Sequence, residues 1–230
     1  MDESFSQFTI DILFLPAYDS RASGVYSSCV SSPGVAMAAA SRSIDDFCRA
    51  LSALPESRFG PAHVLDFLRA HPIASASLSP YLFFSRGHYT RNLIFKCDLF
   101  EVLALCWEVG QASNIHNHRG QLCWMAVPIG KLKNQNFRLL ESDEEKRTCK
   151  LGKSESCLIA PDSPLEVDRS EPIHQVTNLP EFNERAVSIH IYSRPFDSCR
   201  IYDALRGTFQ DIPLHYSSEY GVLSPEEKLV

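Results

Sequence analysis

Hydrophobic residues recur with a helical period in the part of the chain between positions 43 and 72. In the run "SIDDFCRAL" the apolar side chains stand three and four positions apart, which predicts an amphipathic helix. Ser43 is suited to cap the N-terminus of this helix because Asp46 follows three positions later. Pro55 ends the helix, and a second short helix is predicted from Pro61 to the residues before Pro72.

From about residue 88 the pattern changes to short β-rich segments that are separated by turn signals. Glycines at 110, 120, 130 and 152 punctuate these segments, and no βαβ alternation, P-loop or dinucleotide-binding glycine motif is present. Several short strands at this spacing predict an all-β sandwich or barrel that follows short N-terminal helices. The segments are "NLIFKCDLFEVLALCWEVG", "LCWMAVPIG", "KLKNQNFRLL", "SCLIAP" and "AVSIHIYS".

Composition divides the chain into an arm and a domain. Residues 1–42 are rich in Ser, Ala and Gly and have no sustained period, so we expect a poorly structured N-terminal arm there. Residues 43–230 are expected to form a single domain. The chain has 230 residues, of which 44% are hydrophobic and 22% charged, which suffices for a sizeable core.

Charge and cysteine usage narrow the functional classes. The formal net charge of −6, without a basic cluster, disfavours nucleic acid as a partner. No apolar run is long enough to cross a bilayer, and the acidic start "MDESF" is unlike a secretory signal, so we expect a soluble cytoplasmic protein without a membrane partner. The eight cysteines include no CxxC pair, and most lie in apolar runs, which predicts free buried thiols.

The stretch "ASNIHNHRGQLC" carries two candidate metal ligands. His116 and His118 would point to the same face of a strand, where two imidazoles can bind one metal ion. On its own, such a pair is more often an accidental surface arrangement than a metal site. A third histidine is needed to hold a metal while open positions are kept for chemistry, and His174 in "PIHQVTN" can supply it.

The strand "AVSIHIYS" has one apolar and one polar face. Ser188, His190 and Tyr192 share the polar face, and these three side-chain types can relay protons. The plain alternative is an exposed strand with a wet face, although such a face more often carries Lys, Glu or Thr. In a barrel, the same face can point into a polar interior.

Spaced residues in this region resemble the two cupin motifs: Gly110, His116, His118, Gly130, His174 and Asn178. Cupins normally have Glu where this chain has Cys123. That substitution, together with the segments "YTRNLI", "CWEVG", "SIHIY" and "RPFDSC", resembles cysteine dioxygenase of the eukaryotic type over the region from Ser43 to Cys199. The resemblance implies an all-β cupin fold, a jelly-roll-like β-barrel, with short N-terminal helices.

The resemblance also implies a cofactor and a set of residue roles. His116, His118 and His174 match the ligands of one iron(II) ion per chain. Cys123 and Tyr192 match the partners of a thioether crosslink.

Further matches concern proton transfer and the substrate. Ser188 and His190 match residues that hydrogen-bond in line with the crosslinked tyrosine. Arg91 matches the arginine that holds the substrate carboxylate, and Tyr89 matches a neighbouring pocket tyrosine. Two further matches, Trp107 and Cys199, are expected to give structural support near the site.

The implied function is oxidation of L-cysteine with O₂ to cysteine sulfinic acid by a monomeric enzyme. This activity belongs to cysteine catabolism and supplies sulfite, hypotaurine and taurine precursors. One alternative is a dioxygenase of another small thiol such as 3-mercaptopropionate, in which a glutamine tends to replace Arg91. The other alternative is a non-catalytic metal-binding cupin, although such a protein has no need of a proton relay.

Overall fold

The computed structural model of the protein describes residues 40–167 and 172–225. Most of the predicted arm 1–42 therefore lies outside the described residues. The last residues of that arm lead directly into the fold, because the backbone of Arg42 bridges to Ile73.

The described residues contain two α-helices, three short 3-10 helices and thirteen strands. The helices are α1 (Ile44–Ser52) and α2 (Pro61–Ala70), and the 3-10 helices span Glu56–Arg58, Ser75–Tyr81 and Pro180–Phe182. The strands are β1 (Thr90–Lys96), β2 (Glu101–Trp107), β3 (Ile115–Asn117), β4 (Leu122–Ile129), β5 (Leu132–Asp143), β6 (Thr148–Ile159), β7 (Leu165–Glu166), β8 (Ile173–Thr177), β9 (Ala186–Ser193), β10 (Ser198–Asp203), β11 (Thr208–Pro213), β12 (Ser218–Glu219) and β13 (Val222–Leu223).

Both predicted helices begin as the sequence indicates. The hydroxyl of Ser43 accepts a hydrogen bond from the backbone N–H of Asp46 at 3.1 Å, which satisfies one of the free donors of the first turn. Pro61 stands in the first turn of α2, where its missing N–H costs nothing. Helix α1 ends at Ser52 and a 3-10 turn follows Pro55, so the predicted boundary is correct to within a few residues.

The strands form two sheets. One has the order β13-β12-β1-β2-β9-β4-β7, and the other closes on itself in the order β10-β11-β6-β5-β8-β3. Residues from both sheets pack into a shared core, which includes Leu103 and Tyr192 from the first sheet and Leu132 and Val176 from the second. This arrangement confirms the predicted all-β cupin fold with short N-terminal helices.

The two central strands of the first sheet are buried on both faces. In β9, Val187, Ile189 and Ile191 pack in the same cluster as the helices, which cover the outer face of the sheet. The alternate residues of β9 therefore face the interior between the sheets. Strand β2 alternates in the same way, which explains its unbroken apolar sequence "VLALCW".

Aromatic residues join the helical layer to the sheet. The indole N–H of Trp124 donates a hydrogen bond to the carbonyl oxygen of Pro61 at 3.0 Å. The ring of Phe59 stacks on Phe100 with centroids 4.9 Å apart and meets Trp124 edge to face at 5.7 Å. These contacts fix the helices on the outer face, so the inner face is free for polar side chains.

The structure corrects the expectation for two segments. No strand is predicted around His174, but it lies within its own strand, β8. The tail after Cys199, which carried no strand prediction, forms β10 to β13, and β12 pairs in parallel with β1. Both segments are short and weakly alternating, so their pairing partners rather than their own sequences define them.

The cysteine prediction is confirmed for the described residues, because their seven cysteines are all free and six are buried. Cys29 lies outside the described residues. Among the helices that the structure describes, none is long and apolar enough to cross a membrane.

Gly130 lies where the end of β4 passes close to the backbone at the start of β9. Its φ of +70° is a left-handed conformation, and a Cβ there would lie 2.5 Å from the carbonyl oxygen of Arg185. We expect Gly130→Ala to lower the free energy of unfolding by about 3 kcal/mol, because strain and steric overlap add together. Urea denaturation of purified protein measures this change.

Gly110→Ala is the matched control for that substitution. Gly110 also has a positive φ, +86°, but its Cβ would have no neighbour within 4 Å. Only the conformational cost of about 1 kcal/mol should appear there. Equal losses of stability in the two variants would show that the close approach at Gly130 has no energetic consequence.

Candidate metal centre and adjoining pocket

Three histidines converge on the neighbouring strands β3 and β8 of the second sheet. His116 in β3 and His174 in β8 are directly paired in the antiparallel register, and His118 follows β3 immediately. One nitrogen from each ring can be chosen so that all three lie within 4.8 Å of one another. The structure therefore brings together the three residues that the sequence indicates as metal ligands.

Hydrogen bonds on the outer side of two rings orient them. Nδ1 of His116 lies 2.9 Å from the carbonyl oxygen of Asn114, and Nδ1 of His174 lies 2.7 Å from Oδ1 of Asn134. The amide nitrogen of Asn134 donates in turn to Oδ1 of Asn136 at 2.8 Å, which fixes which end of the amide faces the histidine. Both histidines must then carry their proton on Nδ1, so each Nε2 presents a lone pair to the cluster.

Burial keeps the three imidazoles neutral. It lowers the pKa of His116 to about 4, and it lowers the pKa of His118 and of His174 well below the usual value, with further contributions from neighbouring histidines. Nε2 of His174 lies 3.2 Å from Nε2 of His118. Neutral nitrogens at this separation are suited to a cation of the first transition series, so the residues fit a single metal ion.

A second row of polar side chains lies on the inner face of β9. The indole N–H of Trp107 donates to Oγ of Ser188 at 2.9 Å, and Oγ lies 2.9 Å from Nε2 of His190. Nδ1 of His190 is 3.0 Å from the hydroxyl oxygen of Tyr192. An assignment in which Ser188 donates to His190 and His190 donates to Tyr192 is consistent with these distances and leaves the Tyr192 O–H to donate elsewhere.

These groups are fully buried, and burial sets their protonation. It lowers the pKa of His190 to about 3, with a smaller contribution from the Arg91 charge, so the imidazole is neutral. It also raises the pKa of Tyr192 well above its usual value, so the phenol keeps its proton. The ring of Tyr192 meets His118 with centroids 5.2 Å apart, which places this row beside the three histidines.

Cys123 lies directly opposite Tyr192 in the antiparallel pair of β4 and β9. Side chains in such a pair have Cβ atoms roughly 5 Å apart and lie on the same face. Cys123 is buried, and burial raises the pKa of its thiol far above the usual range. The thiol is therefore protonated and adjacent to the phenol.

Arg91 brings a positive charge over the Tyr192 ring. Its guanidinium carbon is 6.0 Å from the ring centroid, and its buried Nε and Nη2 have no hydrogen-bond partner among the described residues. Tyr89 lies beside it and stacks on Trp107 with centroids 4.4 Å apart. The unpartnered N–H groups are available to an anionic ligand.

A cavity connects the histidines to Arg91. Its walls include residues that sequence reasoning did not assign to the site. The polar lining consists of Tyr89, Arg91, Asn114, His116, His118, Tyr192 and Cys199, and the apolar lining of Phe196, Ile201, Ile212 and Leu214. The apolar walls come mostly from the tail, whose alternating "IPLHY" gave a weak strand signal.

Asn134 was also missed, although a polar residue at an inward position of β5 is a detectable signal. We expect Asn134→Ala to weaken binding of a divalent metal ion about 10- to 100-fold, because His174 loses the acceptor that fixes its tautomer and orientation. Anaerobic titration against a competing chelator measures the affinity.

Gln135→Ala is the neighbouring control for that substitution, because the Gln135 amide bonds backbone carbonyls of Asn136, Ser154 and Glu155 and contacts none of the histidines. An unchanged metal affinity in Asn134→Ala would show that the hydrogen bond to His174 does not support the ligand.

The neutral histidines of the site predict acid sensitivity of the metal-free protein. His190, with a folded pKa of about 3, and His116, at about 4, bind protons less readily than in the unfolded chain. The contribution of each such histidine to the free energy of unfolding is therefore fully present above the unfolded pKa of about 6.5. Below that pH the contribution falls by about 1.4 kcal/mol per pH unit. Urea denaturation between pH 7.5 and 5 measures the slope.

His190→Gln supplies the control for this dependence. The variant lacks one of the groups that must charge on unfolding, so its slope should be smaller by the contribution of one proton. The same slope in the variant and the unaltered protein would contradict the assignment of His190 as a buried neutral imidazole.

Comparison with known proteins agrees with this geometry. Residues 39–205 match the family model "Cysteine dioxygenase type I". Cysteine dioxygenase type 1 of Danio rerio is 33% identical over 149 residues, which cover 63% of this chain and 70% of that protein. The Rattus norvegicus protein of the same name is 31% identical over 159 residues, which cover 69% of this chain and 77% of that protein.

Among solved structures, TT1209 from Thermus thermophilus aligns with a TM-score of 0.39 and 18% identity over 54% of this chain and 99% of its own. The family match spans both helices, the three histidines and the polar face of β9. By this match, the chain belongs to the cysteine dioxygenase type I family.

Proposed function

We propose that the chain is an iron-dependent thiol dioxygenase that oxidises L-cysteine to cysteine sulfinic acid. The observation that carries the proposal is the convergence of three histidines, two of which, His116 and His118, line a cavity that also contains Arg91. Relatives named cysteine dioxygenase type 1 support the same substrate. The proposal includes a cytoplasmic location and a monomeric state.

The nature of the three ligands favours iron(II), one per chain. Three neutral nitrogens leave the 2+ charge of the ion uncancelled, which suits an anionic thiolate as a further ligand. Zinc would also accept three histidines, but it has no redox chemistry. Bound iron would supply the activation of dioxygen and lower the pKa of the substrate thiol.

Arg91 is the proposed binding group for the substrate carboxylate. Its planar guanidinium can offer two parallel N–H donors, and its buried Nε and Nη2 lack partners in the described structure. Tyr89 would hold the adjoining wall, because its stacking on Trp107 limits its movement. A substrate fixed at its carboxylate would direct its thiol towards the histidines.

Tyr192 is the proposed proton donor to an oxygen atom in the cavity. In this row the O–H is directed away from His190, and the raised pKa of the phenol keeps that proton in place until an acceptor arrives. Ser188 and His190 would hold the phenol oxygen in position and return a proton after transfer. The apolar lining contributed by Phe196 and Leu214 limits access of water to this proton.

A thioether between Cys123 and Tyr192 fits their cross-strand pairing. Forming this bond removes a hydrogen atom from the thiol and one from the ring, so it requires an oxidant such as dioxygen. The crosslink would fix the orientation of the phenol. It would also remove a free thiol from the neighbourhood of an oxidising centre.

The overall reaction balances without an external reductant. One thiol and one O₂ give one sulfinic acid, with both oxygen atoms on sulfur, so the sulfur supplies all four electrons. We expect the iron-loaded protein to consume one O₂ for each L-cysteine and to yield a product heavier by two oxygen atoms. An oxygen electrode and mass spectrometry measure the stoichiometry.

Substrate choice is tested by 3-mercaptopropionate in the same assay, since it lacks the amine but keeps the thiol and carboxylate. A clear preference for it would contradict L-cysteine as the substrate.

Tyr192→Phe should lower the turnover rate about 10²- to 10⁴-fold, with iron content as the control. An unchanged rate in that variant would remove the support for Tyr192 as the proton donor.

A further inference from the structure

A buried carboxylate lies next to the pocket and takes no part in the chemistry described so far. Glu101 is the one fully buried carboxylic residue among the described residues. Its Oε2 accepts a hydrogen bond from the hydroxyl of Tyr216, and its Oε1 has no hydrogen-bond partner in the described structure. A buried charged group that is only half-satisfied is costly, so its retention requires an explanation.

The register of the sheet places Glu101 beside the substrate-binding arginine. Glu101 in β2 is the cross-strand partner of Tyr192 in β9, and the guanidinium of Arg91 lies over the Tyr192 ring at 6.0 Å. Arg91 and Glu101 lie on the same, inward face of their strands, since Arg91 pairs with Leu105, four positions along β2. Arg91 thus extends along the sheet towards Glu101.

The charges around Glu101 are complementary to a carboxylate. Burial raises its pKa, while the Tyr216 hydroxyl and the charges of Arg91 and Lys96 oppose that rise. The ammonium of Lys96 lies 3.2 Å from the Tyr216 hydroxyl. Arg91 therefore has an internal negative neighbour, and Tyr216 attaches that neighbour to the C-terminal segment.

We propose that Glu101, held by Tyr216, is the internal counter-charge of Arg91 and sets how strongly the pocket binds a carboxylate. This inference rests on the proposed function, in which Arg91 binds the carboxylate of the thiol substrate. Glu101 stabilises the guanidinium in the empty pocket and repels an arriving carboxylate. It is a specificity-determining residue that touches no reacting atom.

The direction of the effect follows from the signs of the charges. Replacing Glu101 by Gln keeps the size of the side chain and an acceptor for Tyr216 but removes the negative charge. The potential at Arg91 then becomes more positive, so a ligand with a carboxylate binds more tightly. Cysteamine, which has the thiol and the amine of cysteine but no carboxylate, lacks this electrostatic gain.

The test compares these two ligands on the iron-loaded protein in the absence of oxygen, by calorimetric titration. Glu101→Gln should raise the ratio of L-cysteine affinity to cysteamine affinity about five- to tenfold. Tyr216→Phe should change the ratio in the same direction by a smaller factor, because the carboxylate loses its donor and becomes easier to protonate. Glu108→Gln, at the other end of β2 and paired with Arg185, removes the same charge and should leave the ratio unchanged.

Two results would overturn the inference. An unchanged ratio in Glu101→Gln would show that the charge does not reach the ligand. An equal loss of affinity for both ligands would indicate a structural role. Failure of the unaltered iron-loaded protein to bind L-cysteine would instead overturn the proposed function. The affinity ratio in the variants does not test that function.

Discussion

The register of β9 between β2 and β4 is the constraint on which the site depends. In this register Tyr192 lies opposite Cys123 on one side and Glu101 on the other. Because side chains alternate along a strand, a slip of one residue would turn Ser188, His190 and Tyr192 towards the helices. The apolar residues between them pack under α1 and α2, so the hydrophobic layer enforces the position of the polar row.

Burial of that row has a cost that the fold offsets by hydrogen bonding. Trp107, Ser188, His190 and Tyr192 form one continuous chain of donors and acceptors. Two of the three metal-site histidines, His116 and His174, are stabilised in the same way on their outer side, through the Asn114 carbonyl and Asn134. Desolvation then keeps the imidazoles of these two groups neutral and the Tyr192 phenol protonated, which are the states that metal binding and proton donation need.

The sequence predicted those parts of the site that lie within one segment. The spacing of His116 and His118, and the alternation in "AVSIHIYS", are local patterns that survive folding unchanged. The strand that carries His174 was missed, because five residues paired with β3 and β5 leave no periodic signal of their own. Asn134 gives only the signal of a polar residue at an inward position of β5, and its role exists only across a strand pair.

The tail shows how long-range contacts complete the pocket. Tyr216 bonds Glu101, and the adjacent Ser217 bonds the backbone of Arg91 through both its N–H and its hydroxyl. These contacts join residues more than a hundred positions apart, so no local pattern could have indicated them. The charge environment of Arg91, on the first strand, is therefore set by the tertiary fold, through contacts from a segment more than a hundred positions further along the chain.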